Sequence, residues 1–252
     1  MAVHFDHDRY FDSVRDSLFD GELSQEQVDG QKAILAVFER DHNEWDWRWL
    51  AYALATTAHE TGFEMMPIEE YGKGEGMEYG KKDPETGQTY YGRGFVQLTW
   101  RDNYAKADRE IGLGTTKDDP TSCEWHAENA LDPAIAAQIM FEGMVEGWFR
   151  SGHDFDRYFN DSGSDPYGAR EIINGDKSKV PSWSNGVSIG NLIKGYYNDF
   201  LAALHASAEE EEEIPVVPDD PTDGGVWDVY IIRVSQGASV ELLKWVPPRD
   251  RP

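Results

Sequence analysis

The sequence predicts a mainly α-helical domain followed by an acidic linker and a short β-structured tail. Three observations predict it. Apolar residues recur at helical spacing through most of residues 1–206. Helix-start signals precede several of those runs. The composition then changes abruptly at AEEEEEIPVVPDDPTDGG, residues 208–225, which is acidic and proline-rich and has no apolar face to bury.

The elements follow in order. Phe11, Val14 and Leu18 are spaced for one helical face. Ser24 with Gln27 has the form of a capping box, opening a helix that carries Val28, Ile34, Leu35 and Phe38. The segment DWRWLAYALATTAHE is apolar on most faces, which predicts a buried central helix, and Thr61-Gly62 ends it. Residues 63–100 are rich in Gly and Tyr and hold the turn signal KKDPETGQ, so loops or a small β-hairpin are expected. Helix resumes at about 101–111. In LDPAIAAQIMFEGMVEGWF, Asp132 is an N-cap and Pro133 takes the first helical position. Shorter helices are expected over 154–160 and 166–173, and a last one over about 187–206. In the tail, VWDVYIIRV and SVELLKWV flank QGA, a hairpin pattern. A lone hairpin is marginal in water, so the tail is expected to pack on the domain or on another chain. The expected division is a catalytic-type domain over 1–207, a linker over 208–225 and a tail over 226–252.

Charge and composition exclude several function classes. The 252 residues include 48 Asp+Glu against 23 Lys+Arg, a formal net charge of −25. Such a field repels a phosphate backbone or an anionic membrane, so nucleic acid is not an expected partner. The single cysteine, Cys123, excludes an internal disulfide framework and fits a reducing compartment. The N-terminal stretch MAVHFDHDRYFDSVRD lacks a basic region followed by an apolar core, so no signal peptide is expected. No apolar run approaches the ~20 residues that span a bilayer.

The chemistry concentrates in AHETGFEMMPIEEYG, residues 58–72, and YYGRGFVQLTW, residues 90–100. Glu60 closes the buried helix, where the helix dipole and apolar neighbours disfavour its charged form. That suits a general acid, while a better-solvated carboxylate at Glu69 or Glu70 would stay ionised as a base. This division of labour is what glycoside hydrolysis requires. The plainer alternative is a helix-end glutamate beside ordinary surface charges. Other chemistries fit less well. His59-Glu60 begins the zinc motif HExxH, but position 63 is Phe, so the second ligand is missing. Cys123, near His126, sits in an acidic loop that does not favour a thiolate. The glycines of YYGRGFV lack the Lys-Ser/Thr of a phosphate loop.

AHETG, YYGRGFVQLTWRDNY and EIING, in that order, resemble glycoside hydrolase family 19, the chitinase family with a lysozyme-like helical fold. The similarity covers about residues 1–206 and is greatest to bacteriophage endolysin-like members. It implies an inverting hydrolase of β-1,4-linked N-acetylhexosamine polymers with no metal and no cofactor. Glu60 is then the general acid. The base falls in PIEEYG: the bacterial chitinase spacing of nine residues points to Glu69, and the phage-like Pro-Ile-x-Glu pattern points to Glu70, which is slightly favoured. Gln97, Thr99, Asn103 and Asn174 match substrate-binding polar residues. Tyr90, Tyr91 and Trp100 are candidates for stacking on sugar faces or for packing the loop. Arg93 is expected to brace the carboxylates. The family's arginine in the last helix has no evident match beyond nearby Lys194. The expected substrate is peptidoglycan, with chitin as the alternative and a catalytically silent structural virion protein as a third. The implied setting is synthesis in a host cytoplasm without a signal peptide. Action on the wall follows holin-type release, or delivery in the virion, where virion proteins or a second copy could meet the tail.

Overall fold

The computed structural model describes residues 4–42 and 44–208, and beyond them the backbone of three strands. The fold is mainly helical with small β-hairpins, the expected fold class.

Helix α1 spans His7–Leu18 and buries Tyr10, Phe11 and Val14; Asp6 caps it by accepting from the Arg9 N–H. Helix α2, Gln25–Asp41, opens with the capping box expected of Ser24 and Gln27, with both reciprocal hydrogen bonds present. Helix α3, Trp47–Glu60, is the central element: Leu50 through Ala58 are all buried. A large buried side chain there, such as Leu50, would leave a cavity worth about 2–5 kcal/mol if cut back to Ala. Helix α3 packs on α7, Ile189–Ser207, which also covers α1. Helix α5, Pro133–Val145, packs on α2 and starts with Asp132 accepting from the Ala134 and Ile135 N–H groups.

Between α3 and α5 the chain forms the region that carries the motifs. Strands β1, Ile68–Glu69, and β2, Arg93–Gly94, pair antiparallel with Glu69 opposite Arg93. The KKDPETGQ turn closes as expected: Asp83 accepts from the Glu85 and Thr86 N–H groups, and Gly87 adopts φ +72°. Helix α4, Arg101–Glu110, follows. A second apolar cluster, including Tyr90, Leu98, Tyr104 and Cys123, lies beneath this region.

The later elements are shorter than the spacing predicts. Helix α6 covers only Phe155–Tyr158, and a 3-10 helix covers Gly168–Ile172. An unforeseen hairpin pairs β3, Phe159–Asn160, with β4, Gly163–Ser164. Phe5 pairs with Ala208, and the Asp6 N–H donates to the Ser207 carbonyl at 2.7 Å, so the start and end of the helical domain meet. Beyond it, β5, Glu212–Val216, β6, Val229–Val234, and β7, Glu241–Trp245, form an antiparallel sheet in the order β5-β6-β7. The expected hairpin is β6-β7. The strand β5 falls inside the segment read as a linker, with Pro215 on an edge strand where its missing N–H costs least. The QGA turn, residues 217–225 of the linker and the side chains of this sheet lie outside the described residues. No described helix is long and apolar enough to cross a membrane.

Candidate active site

Glu60 is the last residue of α3 and is partly buried, with 17% of its side chain exposed. Its Oε1 accepts a hydrogen bond from Nη1 of Arg170, whose side chain is only 3% exposed. The other edge of the same guanidinium faces Asp176: Nε donates to Oδ1 at 2.7 Å and Nη2 to Oδ2 at 3.4 Å. The 3-10 helix Gly168–Ile172, packed on α7, holds Arg170 in this position. Burial works against the Arg170 charge, but Glu60 and Asp176 outweigh it and raise its pKa. Burial likewise opposes the Asp176 charge, and the hydrogen bond from Arg170 overcomes it, holding that carboxyl below its ordinary value. His59 is depressed below the ordinary histidine value by burial and then by Arg170. The surroundings expected for Glu60 are therefore corrected. Its end of α3 is not purely apolar but carries a buried cation shared by two carboxylates.

Glu69 and Glu70 sit on neighbouring positions with different partners. Oε1 of Glu69 accepts from the Tyr91 hydroxyl, and Oε2 accepts from Lys73 Nζ at 2.6 Å. Arg93 Nε lies 4.0 Å from the same Oε1. Lys73 first, then Tyr91, lowers the Glu69 pKa below the ordinary value. Glu70 is bound into the loop backbone instead. Its N–H donates to the Gly92 carbonyl at 2.7 Å, and the Gly92 N–H returns a bond to its Oε2 at 3.1 Å. Its Oε1 accepts from the Tyr79 hydroxyl at 3.2 Å.

The remaining motif residues divide between bracing and exposure. Arg93 is buried, packs its guanidinium 3.7 Å from the Tyr91 ring centre, and donates to the Thr89 carbonyl and the Tyr104 hydroxyl. It therefore meets one of the candidate carboxylates, Glu69, by ion pairing. Gln97 takes φ +58° and donates through Nε2 to the Ile68 carbonyl at 3.1 Å. A Cβ at Gly92 would fall 2.7 Å from Gln97 Oε1, so glycine there lets the two segments close. Asn103 donates to the Thr99 carbonyl at 2.7 Å and so ties down the start of α4. Asn174 is exposed and donates to Asp176 at 3.4 Å. Tyr90 is buried, with its hydroxyl donating to the Glu124 carbonyl at 2.7 Å, which is the packing alternative. Trp100 is half exposed, at φ +71°, with its ring edge-on to Tyr79 at 5.2 Å between centroids. Such positive φ values in non-glycine residues store strain in the loop that carries the motif. Cys123 is buried, and burial followed by Asp108 pushes its thiol up, so it is no nucleophile.

Sequence reasoning missed Arg170, Asp176, Lys73 and Tyr79. Lys194 on α7 is exposed, and the buried arginine comes instead from position 170. The adjacency of Arg170 to IING was the one available signal. Trp183 and Tyr71 are strongly exposed aromatics.

The fold matches solved family 19 chitinases. A bacterial family 19 chitinase aligns at 20% identity with a TM-score of 0.51, over 79% of this chain and 94% of that one. Chitinase C from Streptomyces griseus HUT6037 aligns at 17% identity with a TM-score of 0.50, over 80% of this chain and 76% of that one. At such identities the likeness defines the fold class. No protein-family model matches the chain, and no curated protein sequence matches it.

Proposed function

We propose that this protein is an inverting glycoside hydrolase of β-1,4-linked N-acetylhexosamine polymers, with Glu60 as general acid and Glu69 as general base. The observation that carries the reading is the contrast between the two carboxyls. Glu69 is kept ionised by Lys73 and Tyr91, as a base for water must be. Glu60 is anchored through Oε1 alone, and its Oε2 has no hydrogen-bond partner among the described residues. In the proposed step Oε2–H gives its proton to the glycosidic oxygen as the bond from that oxygen to the anomeric carbon breaks. A water attacks the anomeric carbon from the opposite face and gives its proton to Glu69. The product is a reducing end of inverted configuration. Glu70, bonded through its backbone and Oε2 to Gly92 and through Oε1 to the Tyr79 hydroxyl, is assigned to holding residues 70 and 92 together rather than to the chemistry. Gln97, Thr99, Asn103, Asn174, Tyr91, Arg93 and Trp100 complete the proposed substrate-binding and bracing set.

The proposed substrate is peptidoglycan, in the setting of a phage-type lysin, free or virion-borne. Motif similarity to phage endolysin-like proteins supports this. The alternative substrate, chitin, is supported by the names of the solved neighbours. Digestion of purified sacculi and of chitin hexamer, with product masses and the anomeric configuration read by NMR, tests the reading. New reducing ends of α configuration are expected. Release of peptides without new reducing ends, or a retained β anomer, would overturn it.

A further inference from the structure

A pocket of about 350 Å³ opens beside the motif loop, lined by Tyr79, Lys82, Pro84, Tyr90, Trp100 and Arg101 among others. Its size falls in the range of small-ligand sites, roughly 300–1,000 Å³. It is joined to the candidate site through single residues. Tyr79 forms its wall and donates to Glu70, and Tyr90 precedes the Tyr91 that donates to Glu69. Arg101 in its lining pairs with Asp83, Glu85 and Glu124, at distances of 3.3, 2.7 and 2.7 Å.

Two features of this pocket point to a ligand. Trp100 holds half its surface in solvent although Tyr79 supports it edge-on, so an apolar face is presented ready for stacking. The cations of the pocket are unequal. Arg101 is committed to three carboxylates, and Lys81 pairs with Glu78 at 2.5 Å. Lys82 has no ion pair or hydrogen bond among the described residues. The pocket's acids, Glu78 and Asp83, pair with Lys81 and Arg101 and not with Lys82. Lys82 therefore places an uncommitted ammonium beside a stacking platform.

We propose that this pocket is a sugar subsite for an N-acetylhexosamine bearing a carboxylate substituent. The platform formed by Trp100 takes the sugar face, and Lys82 pairs with the carboxylate. The peptide-bearing sugar of peptidoglycan carries such carboxylates on its peptide, the sugar's own carboxyl being taken up in the amide bond, and the neutral sugar of chitin carries none. The proposal rests on the glycosidase reading and deepens it by naming the feature that selects the substrate.

The test compares Lys82→Gln and Lys82→Arg with the wild-type chain on purified sacculi and on chitin hexamer. Lys82→Gln is expected to lower the ratio of kcat/KM on sacculi to that on chitin roughly fivefold, through KM. Lys82→Arg should restore most of it, and 0.5 M salt should shrink the difference, since an exposed pair is screened. An equal loss on both substrates, or no loss on either, would overturn the subsite. A wild-type chain that cleaves chitin but not sacculi would also overturn it while leaving the glycosidase reading intact. If neither polymer is cleaved, the glycosidase reading fails. Co-sedimentation with sacculi in a Glu60→Gln background then decides the subsite alone. Weaker sacculus binding with Lys82→Gln supports it, and unchanged binding overturns it.

Discussion

Arg170 joins Glu60 to Asp176 across a buried guanidinium, and the connection reaches 110 residues along the chain to do so. The ion pair fixes the position of the one carboxyl that the proposed chemistry needs as a proton donor. Removing the cation would leave the partly buried Glu60 and Asp176 without their shared partner. Such broken buried pairs cost about 3–5 kcal/mol. Arg170→Ala is therefore expected to lower the thermal midpoint by many degrees and to abolish turnover. Arg170→Lys should keep part of the stability but lose the two-edged geometry. Thermal melts together with sacculus digestion check this. An Arg170→Ala protein with wild-type stability would mean that the bridge contributes little.

The two candidate bases separate by experiment. Glu69→Gln removes the ionised acceptor and is expected to reduce kcat by about 10²–10⁴-fold with folding intact. Glu70→Ala removes the bonds to Gly92 and Tyr79, so its expected effect is lower stability with a substantial fraction of turnover retained. Glu60→Gln should match Glu69→Gln in severity. Circular dichroism and initial rates on sacculi distinguish these outcomes. A dead Glu70→Ala that folds normally would return the base to position 70.

Much of the helical frame was legible because its signals are local. The Ser24–Gln27 box and the Asp132-Pro133 start each act within four residues, and they form as read. The buried centre was legible too, since Leu50 to Ala58 is apolar on most faces. Arg170 was not, because nothing beside it in sequence reveals a partner at position 60. The choice between Glu69 and Glu70 was equally hidden. Glu69 ends strand β1 opposite Arg93 and Glu70 lies just beyond it, so the pairing of β1 with β2, set by residues more than twenty positions away, decides which of the two meets Tyr91. Strand β5 was obscured by the glutamate run around it, which reads as extension whether or not it pairs.

Stability should fall in two stages on acidification. His59 has its pKa lowered from 6.5 by burial and Arg170, so the unfolded chain takes up a proton that the folded one resists. That contribution is present above pH 6.5 and is lost as pH falls below it. His42, lowered chiefly by burial, acts in the same direction. Glu69 and Asp176 are lowered from ordinary values of 4.5 and 3.8, so their contribution is present above those values and is lost as pH falls through the depressed ones. Glu142, raised by burial and by nearby acids, opposes the trend, since its penalty is relieved as pH falls. Melts at pH 7.5, 5.5 and 3.5 should show a first decline that His59→Gln flattens and a steeper one below about pH 4.5. A midpoint flat from pH 7.5 to 5.5 would contradict the first stage.

The last prediction concerns the tail. Phe5 pairs with Ala208 and Asp6 with Ser207, so the helical domain closes on itself before the glutamate run begins. Every residue assigned here to the chemistry lies between positions 60 and 176. Truncation after Ala208 is therefore expected to leave the thermal midpoint and sacculus hydrolysis close to those of the full chain. What the tail supplies should appear elsewhere. Its three-stranded sheet leaves β5 and β7 as edges, and unpaired edges invite pairing with another chain. The full chain is expected to differ from the truncated one in oligomeric state or in incorporation into particles, measured by light scattering and by co-purification. Loss of hydrolysis with folding intact would place part of the active site in the tail and move the domain boundary beyond residue 208. Equal hydrolysis with equal assembly would remove the tail from the protein's association altogether.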